Sequence, residues 1–405
     1  MVFKLDGNIN PVGYVLVGAK HCLASDPSTY VLLRHFYVTM NIGDPAKPYF
    51  LSVDTGSGLA WLTCAASTGA CDTCEKGTHK PYQPAPPSYT LVPCVAPLCD
   101  ALHQDLDTTK HCTGTDQCDY KLTYADGAST GVLVTEKFSL PMTKAQDDRP
   151  RLAFGCGYDQ GVGSAGKTTA VDGILGLGQS SVDLVSQLKD LKIITKNVIG
   201  HCFSTKGGGY LFFGEDNVPS SDLSWVPMAP RAPETPYHYS AGQATLHWDT
   251  ESIGAKPMEV ILDSGIPYTY FPDVLHSQLV SALKASLSNL SLAEVHDPTL
   301  PLCWKGNGPF KSVDDLKKEF KSRMSLNFGQ GATMVIPPEN YLIVTEQGNT
   351  CLGIFGMTGI DVFLIGGITM QDQLVIYDNE KGRLGWTRSL CDSMPISKNM
   401  PFSRI

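Results

Sequence analysis

Pro48-Tyr49-Phe50-Leu51-Ser52-Val53-Asp54-Thr55-Gly56 and Pro257-Met258-Glu259-Val260-Ile261-Leu262-Asp263-Ser264-Gly265 are two versions of one phrase, one in each half of the chain. Each is an apolar, strand-like run that ends on Asp, then a hydroxyl residue, then Gly. The likeness continues downstream. Leu59-Ala60-Trp61-Leu62 follows the first copy and Tyr268-Thr269-Tyr270-Phe271 the second, and each half carries a later apolar-apolar-Gly, at Ile174-Leu175-Gly176 and Leu364-Ile365-Gly366. A single Asp-Thr-Gly is ordinary turn chemistry, but a duplication with matching context predicts two similar lobes. Gly56 and Gly265 let the backbone turn tightly at the end of a buried strand, and the hydroxyls of Thr55 and Ser264 can reach the opposite lobe, so Asp54 and Asp263 can face each other. Carboxylates that close cannot both ionise. The ionised member can take a proton from a water while the protonated member donates to a substrate carbonyl, which is acid and base in one site with no metal or cofactor required.

The composition agrees with two β-rich units. A chain of 405 residues with 42% hydrophobic and 18% charged side chains can bury a large core. With 39 Gly and 27 Pro, short strands and tight turns are expected, and the class is mainly β. Lys and Arg number 31 against 40 Asp and Glu, a net charge of -9, which offers no basic footprint for nucleic acid or an anionic membrane surface. No run of apolar residues is long enough for a membrane-spanning helix, and the tail from Asp392 to Ile405 is too polar for a lipid-anchor signal. There are 13 cysteines, an odd number, so a disulfide framework leaves one thiol over.

The chain resembles the pepsin-like aspartic proteases, and within them the nucellin-like branch of plants. The resemblance runs from about His35 to Cys391. It rests on the two Asp-x-Gly phrases, His35 to Gly43, Trp61, Phe154-Gly-Cys-Gly-Tyr158, Asp172 to Gly178, Gly208 to Gly214, Trp225-Val-Pro227 and Ile376-Tyr-Asp378 through Gly385-Trp386. It implies a bilobal pepsin-like fold with pseudo-twofold lobes around a central cleft, Asp54 and Asp263 at its floor, and endopeptidase activity at acid pH that pepstatin inhibits. The substrate implied is a polypeptide and the expected state a monomer. The flap tyrosine of the family maps to Tyr124 in Leu122-Thr-Tyr-Ala-Asp-Gly-Ala-Ser129, where Ala-Asp-Gly suits a tight two-strand turn; the indole of Trp61 is its expected partner. The resemblance also implies six disulfides: Cys64 with Cys71, Cys74 with Cys156, Cys94 with Cys118, Cys99 with Cys112, Cys202 with Cys391, and Cys303 with Cys351. Spacing by itself leaves the connectivity open.

Two departures from the family pattern stand out. Active relatives usually place Ser or Thr directly after each Asp-x-Gly, where the hydroxyl donates to the carboxylate. Ser57 does so in the first copy, but Ile266, followed by Pro267, stands in the second. A lost hydrogen bond to a charged group costs roughly 1.5 to 3 kcal/mol, so Ile266→Ser is expected to raise turnover, and Asp263 to hold its proton more tightly than in a hydroxyl-bearing relative. The flap turn is expected to be about one residue short, between Gly127 and Gly131. These departures support a second reading from a different class, a protease-like binding or inhibitory protein.

Other motifs weigh less. Gly161-Val-Gly-Ser-Ala-Gly166-Lys167-Thr168 matches a phosphate-binding loop by letter, but the continuation is too glycine-rich to open the helix whose N–H groups would face a phosphate. Cys71-x-x-Cys74 with its neighbours Cys64, Cys94, Cys99, His103, His111, Cys112 and Cys118 could be read as zinc ligands, but the gaps are irregular and disulfides fit better. Asn289-Leu-Ser291 is a glycosylation sequon in a stretch that reads as surface helix, and Val313 to Arg323 reads as a helix with a solvated basic face.

The leftover thiol is assigned to Cys22. Relatives pass from a segment like Val2-Phe-Lys-Leu-Asp-Gly directly to one like His35-Phe-Tyr-Val, so residues 14–34 are expected to be an atypical insert carrying that unpaired, exposed cysteine. The domains expected are an N-terminal extension over 1–34, an N-terminal lobe over 35–206, a C-terminal lobe over 207–395 and a tail over 396–405. The cysteine framework places the protein in the secretory pathway, extracellular or vacuolar, although Met1-Val-Phe-Lys-Leu-Asp lacks the features of a signal peptide.

Overall fold

The computed structural model describes residues 1–6, 36–65, 81–83, 90–106, 110–124, 127–140, 149–162, 171–232 and 236–392. Both Asp-x-Gly phrases end strands that are covered on both faces. Lys47–Asp54 pairs antiparallel with Tyr37–Ile42 and parallel with Gly173–Gly176, the register placing Asp54 beside Gly176. Glu251–Leu262 pairs parallel with Val362–Ile365, Leu262 beside Ile365, and Asp263 N–H donates to the Ile365 carbonyl at 3.0 Å. Strands in parallel pairing are buried on both faces and read as continuous apolar runs rather than alternating ones, which is why Leu51, Ser52 and Val53 in one lobe and Val260, Ile261 and Leu262 in the other are all buried. The repeat persists in the next strands: Trp61–Thr63 runs antiparallel against Gly173–Gly176, and Thr269–Pro272 antiparallel against Val362–Ile365. The two apolar-apolar-Gly segments are thus structural counterparts, each lying beside the end of an Asp strand.

The lobes share a floor. Among the described residues, Val198–Phe203 lies between Gly209–Phe213 and Gln373–Asp378, and Gln373–Asp378 continues antiparallel to Arg383–Arg388. These strands belong to one sheet with the first Asp strand, while the second Asp strand is in a separate seven-stranded sheet. The expected boundary at 206/207 falls in the turn joining two strands of the shared sheet. One apolar cluster runs from Val38, Leu51 and Val53 through Phe203, Tyr239 and Tyr377 to Val260, Leu262 and Phe363, so the cores of the lobes are continuous. Val2–Asp6, expected in an extension outside the folded unit, is a strand between Gly209–Phe213 and Tyr37–Ile42. The Met1 amino group, 4% exposed as a residue, donates to the Phe213 carbonyl at 3.0 Å. The insert at 14–34, Cys22 and the tail at 396–405 lie outside the described residues.

Helices are few and cover sheet faces. Asp273–Leu287 buries Leu279, Leu283 and Leu287, one face at spacing four. It stops before the sequon, leaving Asn289 exposed in a turn rather than on the expected helix. The expected helix over 313–323 is shorter, Val313–Glu319, capped by the Ser312 hydroxyl; Phe320 turns extended so that its ring can be buried. Its basic face is only partly solvated, because Lys317 reaches the buried carboxylate of Glu339 at 3.2 Å.

Five disulfides join described residues. Cys202–Cys391 and Cys303–Cys351 pair as expected. The other three correct the expected pairing: Cys64 bonds Cys156, Cys94 bonds Cys112 and Cys99 bonds Cys118. Cys64 follows the strand Trp61–Thr63, which runs parallel to Arg151–Val162 with Leu62 beside Cys156, and its N–H donates to Gly157, so Cys156 rather than Cys71 is its neighbour. Cys99, on the helix Pro97–Asp105, and Cys118 are both fully buried in one cluster, whereas Cys112 is only partly buried. Cys71 and Cys74 lie outside the described residues, as do residues 163–168 of the phosphate-loop match; Gly161 and Val162 end the strand Arg151–Val162.

Candidate active site

The two Asp-x-Gly turns interlock. Thr55 N–H donates to Ser264 Oγ at 3.1 Å and Ser264 N–H donates to Thr55 Oγ1 at 3.0 Å. Each hydroxyl in turn donates back across the interface, Ser264 Oγ to the Val53 carbonyl at 2.8 Å and Thr55 Oγ1 to the Leu262 carbonyl at 3.3 Å. Four hydrogen bonds, all buried, therefore tie the ends of the two strands together and fix the carboxylates relative to each other. The close approach explains both glycines. A Cβ on Gly56 would sit 2.6 Å from Asp263 Oδ2, and one on Gly265 would collide with Asp54 Oδ1. Each Asp also receives the N–H of its own Gly at 2.8 Å, Gly56 to Asp54 Oδ1 and Gly265 to Asp263 Oδ1.

Asp54 and Asp263 are each 6% exposed. Burial, and then the neighbouring charge of Asp263, raise the Asp54 pKa above the ordinary carboxylate range; the Ser57 hydroxyl, which donates to Asp54 Oδ2 at 2.5 Å, opposes that rise. The arrangement can hold one proton between two carboxylates that face a common space. Tyr124 ends the strand Asp119–Tyr124, and Trp61 Nε1 donates to its hydroxyl at 2.7 Å. Burial and the nearby Asp54 keep that phenol neutral well beyond its ordinary range. The strand returning from the hairpin is Gly127–Ser139, with Tyr124 opposite Gly127; residues 125–126 lie outside the described residues. Gly127 to Gly131, where a shortened turn was expected, is continuous strand, paired on its other side with Gly157 to Val162 across an irregularity at Thr130.

Asp54, Thr55, Gly56, Ser57, Asp263, Ser264, Gly265, Trp61 and Tyr124 are thus brought to one place. Sequence reasoning missed His238. It immediately precedes the strand Tyr239–Trp248, whose Tyr239 lies opposite Leu262, and its Nε2 is 3.6 Å from Asp263 Oδ2. Burial works against a charged His238, but the contact with Asp263 and the charge of Asp54 outweigh it and raise its pKa. No motif marks the residue; the only signal was a histidine just before a strand that must pair with the second Asp strand.

Comparison with known proteins agrees with the duplication. Residues 36–215 match the family described as xylanase inhibitor N-terminal and residues 240–388 the one described as xylanase inhibitor C-terminal. An aspartic proteinase of Oryza sativa subsp. japonica is 43% identical, the match covering 100% of this chain and 94% of that protein. Basic 7S globulin from soybean has a similar fold, with a TM-score of 0.69 at 16% identity over 98% of this chain and 99% of the other. The aspartic proteinase from Irpex lacteus gives a TM-score of 0.60 at 16% identity over 90% of this chain and 96% of the other. With two interlocked Asp-x-Gly turns, a bilobal β fold and this relative in rice, the chain belongs to the plant pepsin-like aspartic protease family.

Proposed function

We propose that the protein is an aspartic endopeptidase that hydrolyses polypeptides at acid pH. The observation that carries this reading is the reciprocal Thr55–Ser264 bonding, which holds two buried carboxylates face to face, each with a backbone donor. In the reaction, Asp263 as carboxylate takes a proton from a water whose oxygen attacks the peptide carbonyl carbon, and Asp54 as acid donates its proton to the carbonyl oxygen. The tetrahedral diol then collapses. Its hydroxyl proton returns to Asp54, the proton on Asp263 passes to the leaving nitrogen, the C–N bond breaks, and the dyad regains its starting state. Tyr124, on its hairpin, closes over the substrate and keeps bulk water out. The Trp61 indole supports that position.

The disulfides support an oxidising compartment, extracellular or vacuolar, and we expect a monomer. A second reading, a binding or inhibitory protein, is favoured by Ile266 and by the description of the matching family as xylanase inhibitor. The test is incubation of disulfide-intact protein with a denatured protein at about pH 3 to 5. Cleavage that pepstatin suppresses is expected of the enzyme; intact substrate under those conditions selects the binding protein.

A further inference from the structure

We propose that His238 is a positioning residue of the dyad: its imidazole stands at Asp263 as the Ser57 hydroxyl stands at Asp54, and supplies by charge what Ile266 cannot supply by a hydroxyl. The proposal rests on the reading of the site as a peptide-cleaving dyad.

The two aspartates are served asymmetrically. Asp54 receives Gly56 N–H on Oδ1 at 2.8 Å and Ser57 Oγ on Oδ2 at 2.5 Å. Asp263 receives Gly265 N–H on Oδ1 at 2.8 Å, but the residue equivalent to Ser57 is Ile266, and His238 Nε2 lies 3.6 Å from Oδ2. That distance is too long for a hydrogen bond and within the range of an ion pair. Asp263 is 6% exposed and stands beside a second carboxylate, where an uncompensated charge is costly, and His238 is the group placed to compensate it.

The backbone that carries the imidazole is held by the opposite lobe. Gln179 Nε2 donates to the His238 carbonyl at 2.7 Å and Gln179 N–H donates to the Tyr237 carbonyl at 2.8 Å. The Tyr237 ring and the Ser180 side chain lie so close to Gly58 that Gly58 has no room for a side chain. Arg231 Nε donates to Gln179 Oε1 at 3.2 Å and braces the same loop. The titratable groups around His238 are Asp263 and Asp54 on the dyad side, the Tyr237 phenol beside it in the chain, and Arg231 beyond Gln179. Its Nδ1 is buried with no hydrogen-bond partner among the described residues, which works against the imidazolium; the two aspartates act the other way, and the net effect raises its pKa.

An imidazolium 3.6 Å from Asp263 Oδ2 favours the anion there and so leaves the shared proton to Asp54. His238 thereby sets the polarity of the dyad, with Asp263 the base and Asp54 the acid. It also makes a second proton on the dyad harder to add, which pushes the acid limb of activity to lower pH.

The test compares wild type, His238→Gln, Ile266→Ser and the double variant by the pH profile of pepstatin-sensitive kcat/KM, with the imidazole of His238 followed by NMR titration in wild type and Asp263→Asn. His238→Gln should lower kcat about tenfold or more and move the acid limb upward by about half a pH unit or more. Ile266→Ser should gain more activity in the His238→Gln background than in the wild type, because only there does Asp263 Oδ2 have neither a hydroxyl nor an imidazole beside it. Asp263→Asn should lower the His238 pKa. An unmoved acid limb, equal or higher activity of His238→Gln, or equal gains from Ile266→Ser in both backgrounds would overturn the proposal. If the wild type cleaves nothing, the endopeptidase reading fails, and the titration alone decides: a His238 pKa unchanged in Asp263→Asn removes the contact on which the proposal stands, and a fall retains it.

Discussion

Asp54 and Asp263 are matched in sequence but not in surroundings. The Ser57 hydroxyl donates to Asp54 at 2.5 Å and meets a full charge once Asp54 has given its proton to the substrate, so Ser57→Ala should reduce kcat by about ten- to a hundredfold with KM little changed, because the bond is felt by the reacting carboxyl rather than by bound substrate; steady-state kinetics on a peptide substrate read this directly. The cross between the two turns carries a different kind of energy. Ser264→Ala would leave Thr55 N–H and the Val53 carbonyl buried without partners, and a loss of about 2 kcal/mol or more in denaturant unfolding is expected. These residues were legible because the repeat is local: each Asp, hydroxyl and Gly are consecutive. His238 was not, because its role depends on a strand pairing between distant segments, and a histidine without a motif gives no sign of which carboxylate it will meet.

At the scale of elements, the hairpin Asp119–Tyr124 and Gly127–Ser139 is held at two points. Its end is tied by Trp61 Nε1 to Tyr124, and its base by the Cys99–Cys118 disulfide to the helix Pro97–Asp105. Trp61→Phe keeps the packing but removes the donor, so it should weaken closure, raising KM or lowering kcat by up to about tenfold while thermal stability stays within a few degrees. A loss of stability without a kinetic effect would count against the flap role. The Asp strands were readable from their continuous apolar runs, which parallel pairing requires. The disulfides near the hairpin were not. Cys94, Cys99 and Cys112 bring their sulfur atoms within 4.8 Å of one another, so proximity in the chain fits either pairing, and only the inward face of the helix selects Cys118 for Cys99. Val2–Asp6 was placed outside the fold because a five-residue strand has too little pattern of its own; its place comes from the unpaired edges of Tyr37–Ile42 and Gly209–Phe213 that it joins.

Across the whole molecule, the continuous core makes the floor strands a determinant of acid tolerance. His201 is fully buried there, stacked on Phe203 with ring centroids 4.2 Å apart and its Nε2 3.0 Å from the Tyr377 hydroxyl; burial pushes its pKa down to about 3. An unfolded histidine titrates at about 6.5. Between those values the unfolded chain binds a proton that the folded chain refuses, so this group costs stability as pH falls, at up to about 1.4 kcal/mol per pH unit. Asp54 works in the opposite sense, its raised pKa adding stability on acidification. The difference between wild type and His201→Gln is therefore the proper readout: the variant should lose less stability than wild type between about pH 6.5 and 3 in denaturant titrations, and parallel pH dependences would contradict the assignment.

The endopeptidase reading requires both carboxylates in one act. The most direct measurement is pepstatin-sensitive cleavage of a denatured protein by wild type, Asp54→Asn and Asp263→Asn, all with their disulfides intact, at about pH 3 to 5. The account predicts cleavage by the wild type and a loss of about 10² to 10⁴-fold in kcat for either variant. A wild type without activity, or a variant that cleaves as well as the wild type, would contradict it.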